Sequence, residues 1–188
     1  RGRHRARAAR RAGACMTFDL ALVLENAHNI ARAFGVTLGV WAGAVVFGSI
    51  GGFAVAVARR WGPTPLGWLL RALVEVIRGT PVLVQIFLLY YGGPFIGLSL
   101  DNIPAGMIGL SIYAAAYYSE IFRTGFEAIP KGHLEAADCA GFTRAQTLRR
   151  IVLPEMTMLV LPAMVNMTIL MLKETAVLSI ISVPELTL

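Results

Sequence analysis

The sequence predicts an all-α, polytopic integral membrane protein of about five spans, the last of them incomplete. Two observations require this class. The composition is 56% hydrophobic with only 15% charged residues, and the mean hydropathy over 188 residues is +0.66, too apolar for a soluble domain. The charges are also unevenly spread, leaving long uncharged runs between short clusters.

The runs bracket the spans in order. Residues 33–58 hold no charge and at ~1.5 Å per residue make about 39 Å of helix, enough to cross a hydrocarbon core of about 30 Å with some tilt. Within that first span Gly35, Gly39 and Gly43 recur every fourth residue, and Gly48 and Gly52 repeat the spacing, which permits close helix packing. The second span is expected over residues 66–92, with Arg71, Glu75 and Arg78 in its first half and a kink at Thr80-Pro81, where proline removes a backbone donor. Residues 102–119 and 156–172 are uncharged and form spans three and four. The run 176–183 is too short to cross, and Pro184-Glu185-Leu186 would open a further helix, so a fifth span is expected to be truncated.

Lys and Arg in the short connections set the orientation. Arg59, Arg60 and Arg71 follow the first span, and Arg123, Lys131, Arg144, Arg149 and Arg150 follow the third, whereas residues 93–103 carry neither Lys nor Arg. The first two connections are therefore cytoplasmic and the last is external, with the N-terminus outside. The stretch 1–15 opposes this rule. Its six arginines match the whole formal net charge of +6, and it is read as a disordered or non-native extension, with Met16 as the true start and 16–188 as the membrane domain. It has neither the aromatics nor the periodicity of a nucleic-acid-binding arm, and it is unlike a signal peptide.

Between spans three and four, residues 132–150 place Leu134, Ala137, Ala140, Gly141, Ala145 and Leu148 at three- and four-residue intervals. Asp138, Arg144, Arg149 and Arg150 fill the remainder, which reads as a short amphipathic helix, a turn near Gly141 and a second helix. The Ala pair and Gly141 are expected to form a flat surface for another protein. The order is Glu135-Ala136-Ala137, three residues, Gly141, nine residues, then Ile151-x-Leu153-Pro154. This pattern resembles the EAA loop of the permease subunits of ATP-binding cassette (ABC) importers.

The likeness narrows elsewhere. Arg78-Gly79-Thr80-Pro81 with Gln85, the run 116–123, Ile129-Pro130-Lys131-Gly132, and Asn166 through Lys173-Glu174-Thr175 resemble the polar amino-acid branch, the histidine, glutamine and arginine importers, over about residues 35–188. Two positions depart from that branch. Met167 follows Asn166 where Gln is usual, and Glu174-Thr175-Ala176 follow Lys173 where Asp-Thr-Ser is usual, although the carboxylate is retained.

The resemblance implies a type I importer transmembrane fold of the MetI-like kind in the bacterial cytoplasmic (inner) membrane. It implies a second permease subunit as homo- or heterodimer, two ATPase subunits on the EAA-type loop, an external or periplasmic solute-binding protein, and surrounding lipid. ATP and Mg would be bound by the partner ATPase, with no cofactor in this chain, and nucleic acid is not a partner. An ion-coupled secondary amino-acid transporter is the alternative. It would have no use for the loop and would show inverted repeats, which are not detectable.

Glu120, Asn166, Lys173 and Glu174 are the candidate pathway residues, because polar groups inside or beside spans need partners. Glu120 with Arg123 and Glu75 with Arg78 could instead pair locally at three-residue spacing, and Asn166 could bond to a neighbouring helix. No phosphate-binding loop or catalytic constellation is present, so the chain is read as a non-enzyme. His4, His28 and His133 are isolated, so no metal site is expected, and Cys15 and Cys139 fall on opposite sides of the membrane, so no disulfide is expected.

Overall fold

A computed structural model describes residues 27–183, which are helical with no strand among them. Helix α1 (Ala27–Trp61) covers the first expected span with margin at both ends. It is apolar all round, and its buried positions Val40, Ala44, Gly48, Gly52 and Ala56 form one stripe at four-residue spacing. The stretch 1–26, which includes the Arg-rich segment, Met16, His4 and Cys15, and the stretch from Pro184 onward, where a fifth span would begin, lie outside the described residues.

The second expected span is corrected by the structure. Residues 66–92 do not form one kinked helix. Helix α2 (Thr64–Gly79) and helix α3 (Val82–Phe87) are separate, and the segments Thr64–Gly79 and Val82–Ile96 meet at 105°. Pro81 explains the severity of the break. Besides lacking an N–H, it crowds the preceding residue out of the helical region, and Thr80 is extended at φ −106, ψ 135. After α3 the chain widens into a π turn (Leu88–Gly92) and a 3₁₀ turn (Gly93–Ile96).

Helix α4 (Asn102–Glu127) starts where the third span was expected and continues beyond Ser119 to Glu127. It is the central helix of the bundle. Eleven of its residues are buried, among them Ala105, Leu110, Tyr118 and Phe126, and α1, α2, α3 and the later helix α7 all pack on it. Its polarity, with Ser111, Ser119, Glu120 and several tyrosines, fits burial against protein rather than lipid.

Helix α5 (Lys131–Cys139) and the short helix α6 (Arg144–Thr147) flank the turn at Gly141, as the periodicity predicts. A π turn (Leu148–Val152) then leads into α7 (Leu153–Glu174), which contains the fourth expected span. Both π turns end two residues before a proline, Pro94 and Pro154, whose missing N–H releases a carbonyl one turn back. A 3₁₀ segment (Thr175–Ile181) folds Leu178 and Ile181 back against Gly106 of α4.

By length and composition, Ala27–Trp61 and the continuous stretch Arg144–Ile181 can each cross a membrane, and the bent pair α2–α3 passes the same test as one span. Outward faces are apolar, with Phe47 and Ile50 on α1 and Met158, Val165 and Ile169 on α7 more than half exposed.

The α1–α4 seam is tight enough to be tested. A Cβ on Gly52 would meet the backbone N of Ser119 at 2.8 Å and the carbonyl oxygen of Ala115 at 2.9 Å, whereas one on Gly39 would meet nothing within 4 Å. Gly52→Ala should therefore lower stability by about 1–3 kcal/mol. Gly39→Ala should leave it unchanged, and thermal melting in detergent compares the two.

Candidate functional site: the α5–α6 hairpin and the polar groups of the bundle

The hairpin is built from backbone-specific residues. Pro130 caps the start of α5 at φ −60, ψ 135, where its missing N–H costs no hydrogen bond. At the other end Phe142 N donates to Ala137 O and Gly141 N to Asp138 O, both at 3.0 Å, around Gly141 at φ +75. That pair of bonds is the Schellman closure, which needs a left-handed residue after the helix. Next, Gln146 N donates to Thr143 Oγ1 at 3.3 Å while Thr143 N donates to Gln146 Oε1 at 2.8 Å, a capping box that starts α6. The two helices are thus stopped and started within four residues, each end closed by its own hydrogen bonds.

The exposed face of the hairpin differs from the expected docking surface. Ala137 is buried at 3% exposure, Leu134 packs against the core, and Gly141 is required for its backbone angle. The outward residues are Glu135, Ala136, Asp138 and Ala140, and neither acid has an ion pair among the described residues. Ile151 and Leu153 are half-buried at the root of α7, and Pro154 is exposed there. His133 Nδ1 lies 2.9 Å from Glu155 Oε2, tying α5 to the first turn of α7. Local spacing could not reveal this link, since the two residues are on separate helices.

Glu120 has a partner that spacing could not reveal. Its Oε1 accepts from Arg123 Nε at 2.8 Å, as expected, but its Oε2 accepts from Arg59 Nη1 of α1 at 3.1 Å. Arg123 also binds Glu127 at 2.6 Å. Both oxygens of Glu120 are committed, so it joins α1 to α4. The expected Glu75–Arg78 pair does not form. Glu75 instead accepts from Arg71 at 3.0 Å, one full turn away, and Arg78 sits 5.2 Å from the ring centre of Tyr117.

The break at Pro81 is satisfied from within. Gln85 Nε2 donates to Ile77 O at 2.6 Å and to Thr80 O at 2.9 Å, and Thr80 Oγ1 donates to Val76 O at 2.8 Å. This gives Gln85, which follows the proline, a physical role: it covers the carbonyls that the proline leaves free.

The remaining candidates divide. Asn166 is exposed on α7 and makes no hydrogen bond to another helix among the described residues, against the local expectation. The helix-to-helix polar contact comes instead from its neighbour Thr168. Trp41 Nε1 of α1 donates to Thr168 O at 2.9 Å, and the buried Tyr118 hydroxyl of α4 lies 2.8 Å from Thr168 Oγ1. Lys173 is exposed and Glu174 half-buried, with no ion pair between them, and Glu174 lies within electrostatic reach of Tyr113, which stacks with Tyr117 at 4.7 Å. His28 and Cys139 are exposed, and no cluster of metal-ligating side chains occurs among the described residues.

A bundle around one buried helix, with a capped hairpin projecting on its Arg-rich side, is the architecture of a transporter's membrane subunit. The chain belongs to the family of binding-protein-dependent transport system inner membrane components, whose profile matches residues 35–186. It is 32% identical over 169 residues to a probable amino-acid ABC transporter permease of Bacillus subtilis (strain 168), covering 90% of this chain and 75% of that one. It is 38% identical over 141 residues to the L-cystine transport system permease of the same organism, covering 75% of this chain and 60% of that one. A crystal structure of an amino acid ABC transporter with histidines superposes with a TM-score of 0.83 at 34% identity, covering 91% of this chain and 80% of that one. A methionine ABC transporter in inward-facing form shares the fold at 24% identity and a TM-score of 0.64, over 79% and 72% of the two chains.

The Arg59–Glu120–Arg123 cluster predicts a coupling between helices. Glu120→Gln should lower the melting temperature in detergent, and the Arg59→Gln and Glu120→Gln changes should combine non-additively by about 0.5–3 kcal/mol in a double-mutant cycle. Additive effects would mean that the pair does not link α1 to α4.

Proposed function

We propose that this chain is the permease subunit of an ABC importer of polar amino acids, multi-pass in the bacterial cytoplasmic membrane, driven by a separate ATPase that docks on the α5–α6 hairpin. The observation that supports this best is the hairpin itself: a short helix closed at both ends, with unpaired Glu135 and Asp138 outward and Ala137 anchored inward. Two ATPase subunits would hold two such hairpins, one on this chain and one on a second permease, identical or not. Movement of α5 would pass through the His133–Glu155 contact and the π turn to α7. ATP and Mg belong to the ATPase, and a solute-binding protein would supply the amino acid from outside.

For the pathway, Glu174 is favoured over Glu120. A half-buried carboxylate without an ion pair among the described residues, within electrostatic reach of Tyr113, can hold an α-ammonium group, whereas Glu120 is already neutralised by two arginines. Asn166 and Lys173, exposed on the same helix, would face a second subunit or the cavity between the subunits.

Two experiments test these roles. Gly141→Val should strain the left-handed turn by about 1–2 kcal/mol and reduce ATPase copurification and uptake, while Gly141→Asn, which tolerates that conformation, should retain more of both. Unchanged docking and uptake in the valine variant would refute the assignment. Glu174→Gln keeps size but removes charge, and it should raise the KM for zwitterionic or cationic substrates about tenfold or more, the loss of one charge-assisted hydrogen bond. Wild-type affinity and wild-type substrate-stimulated ATP hydrolysis together would make Glu174 structural.

A further inference from the structure

A cavity of about 700 Å³ lies between the C-terminal end of α1, the inner face of α2 and the last turns of α4. Five arginines and three glutamates line it. The carboxylates are all taken: Glu75 by Arg71, Glu120 by Arg59 and Arg123, and Glu127 by Arg123. Among the described residues Arg60 and Arg78 are left without a carboxylate. Each lies over aromatic faces instead, Arg60 at 5.6 Å from Trp61 and 5.8 Å from Phe126, and Arg78 at 5.2 Å from Tyr117. An arginine stacked in this way keeps its edge N–H groups free for a bidentate oxyanion.

The helix that walls this cavity is amphipathic in a telling direction. Arg71, Glu75 and Arg78 of α2 line the cavity, while Leu69, Leu73 and Val76 are 67%, 52% and 65% exposed on its outside. Trp68 lines the cavity and is 71% exposed. A helix with cationic residues on one side, leucine and valine on the other and a tryptophan at the margin fits the plane of a membrane interface. The Arg-rich connections put it on the cytoplasmic side, where anionic lipid lies.

We infer that this cavity binds the phosphate of an anionic phospholipid headgroup through Arg60 and Arg78, with the acyl chains lying along the Leu69–Leu73–Val76 stripe. The size of the cavity suits a headgroup, being far larger than inorganic phosphate needs. The outer apolar stripe gives the acyl chains a path that a free anion would not use.

The test is native mass spectrometry of the full chain in detergent with phosphatidylglycerol or phosphatidylcholine added. The wild type should retain phosphatidylglycerol at least about tenfold better, and Arg60→Gln/Arg78→Gln should lose about thirtyfold, each cation contributing about fivefold. Arg60→Lys/Arg78→Lys, which keeps the charge without the fork, should fall between. Excess inorganic phosphate should not displace the lipid; displacement, or phosphate binding alone, would assign the site to a free anion and overturn the lipid reading. Equal retention of the two lipids by the wild type would overturn it without any variant. Unaltered phosphatidylglycerol retention in the double glutamine variant, or loss of ATPase copurification in its place, would do the same.

Discussion

The close approach of α1 and α4 is the constraint on which the rest of the bundle depends. In lipid no hydrophobic drive separates a packed helix from an unpacked one, so association rests on van der Waals contact and polar links, and both require the backbones to be near. Gly48 and Gly52 supply that nearness. A Cβ at Gly48 would lie 2.5 Å from the Cβ of Ala114, and one at Gly52 would reach the backbone of α4. With the seam closed, Arg59 at the lower end of α1 reaches Glu120, Phe53 meets Phe122 edge-on at 5.3 Å, and Trp41 higher up reaches Thr168 of α7. Three helices are thereby fixed by contacts that a wider spacing would not allow.

A second set of constraints acts through the backbone at four residues. Pro81 ends α2, and Gln85 covers the carbonyls it leaves; Pro154 widens the root of α7; Pro130 opens α5; Gly141 closes it. Pro81, Pro130 and Gly141 each interrupt what would be continuous helix, whereas Pro154 widens a helix that stays continuous. These positions also surround the hairpin and the inner face of α2. The arrangement of the Arg-rich side is therefore set less by its charged residues than by the prolines and glycine that aim them.

Much of this was legible in the sequence, and the failures share a cause. Uncharged runs located α1, α4 and α7, and three- and four-residue spacing with Gly141 located the hairpin, because both signals are local. What spacing could not say is which face of a helix meets a neighbour. Glu120 was expected to pair with Arg123 and does, yet Arg59 is 61 residues away. Glu75 had Arg71 and Arg78 at allowed separations, and the presence of Tyr117 under Arg78 decided between them. Ala137 was assigned to the docking face although it is the residue that packs inward. Asn166 was expected to hold two helices together, but on an apolar helix with no polar stripe the rotation is invisible, and Thr168 has that position. The 105° break was underestimated because proline alone licenses a bend of any size, and the extended Thr80 fixes its extent.

The distribution of partners separates structure from function more sharply than residue type does. Burying an ionised group without compensation is costly, so a fold neutralises the charges it uses for itself. Arg59, Glu120 and Arg123 are neutralised in this way, and Arg71 with Glu75 form an exposed pair. Among the described residues half-buried Glu174 has no ion pair, and neither have Glu135 and Asp138 on the hairpin nor Arg60 and Arg78 in the cavity. Their places are distinct: the end of α7, the exposed hairpin helix, and the cavity beside α2. On the readings proposed above, these places would take a small cationic group, a protein surface and an anionic headgroup respectively. A membrane subunit that works through partners would leave those groups open, and the close α1–α4 seam contributes by bringing Arg59 onto Glu120, so that the charges there are spent within the fold.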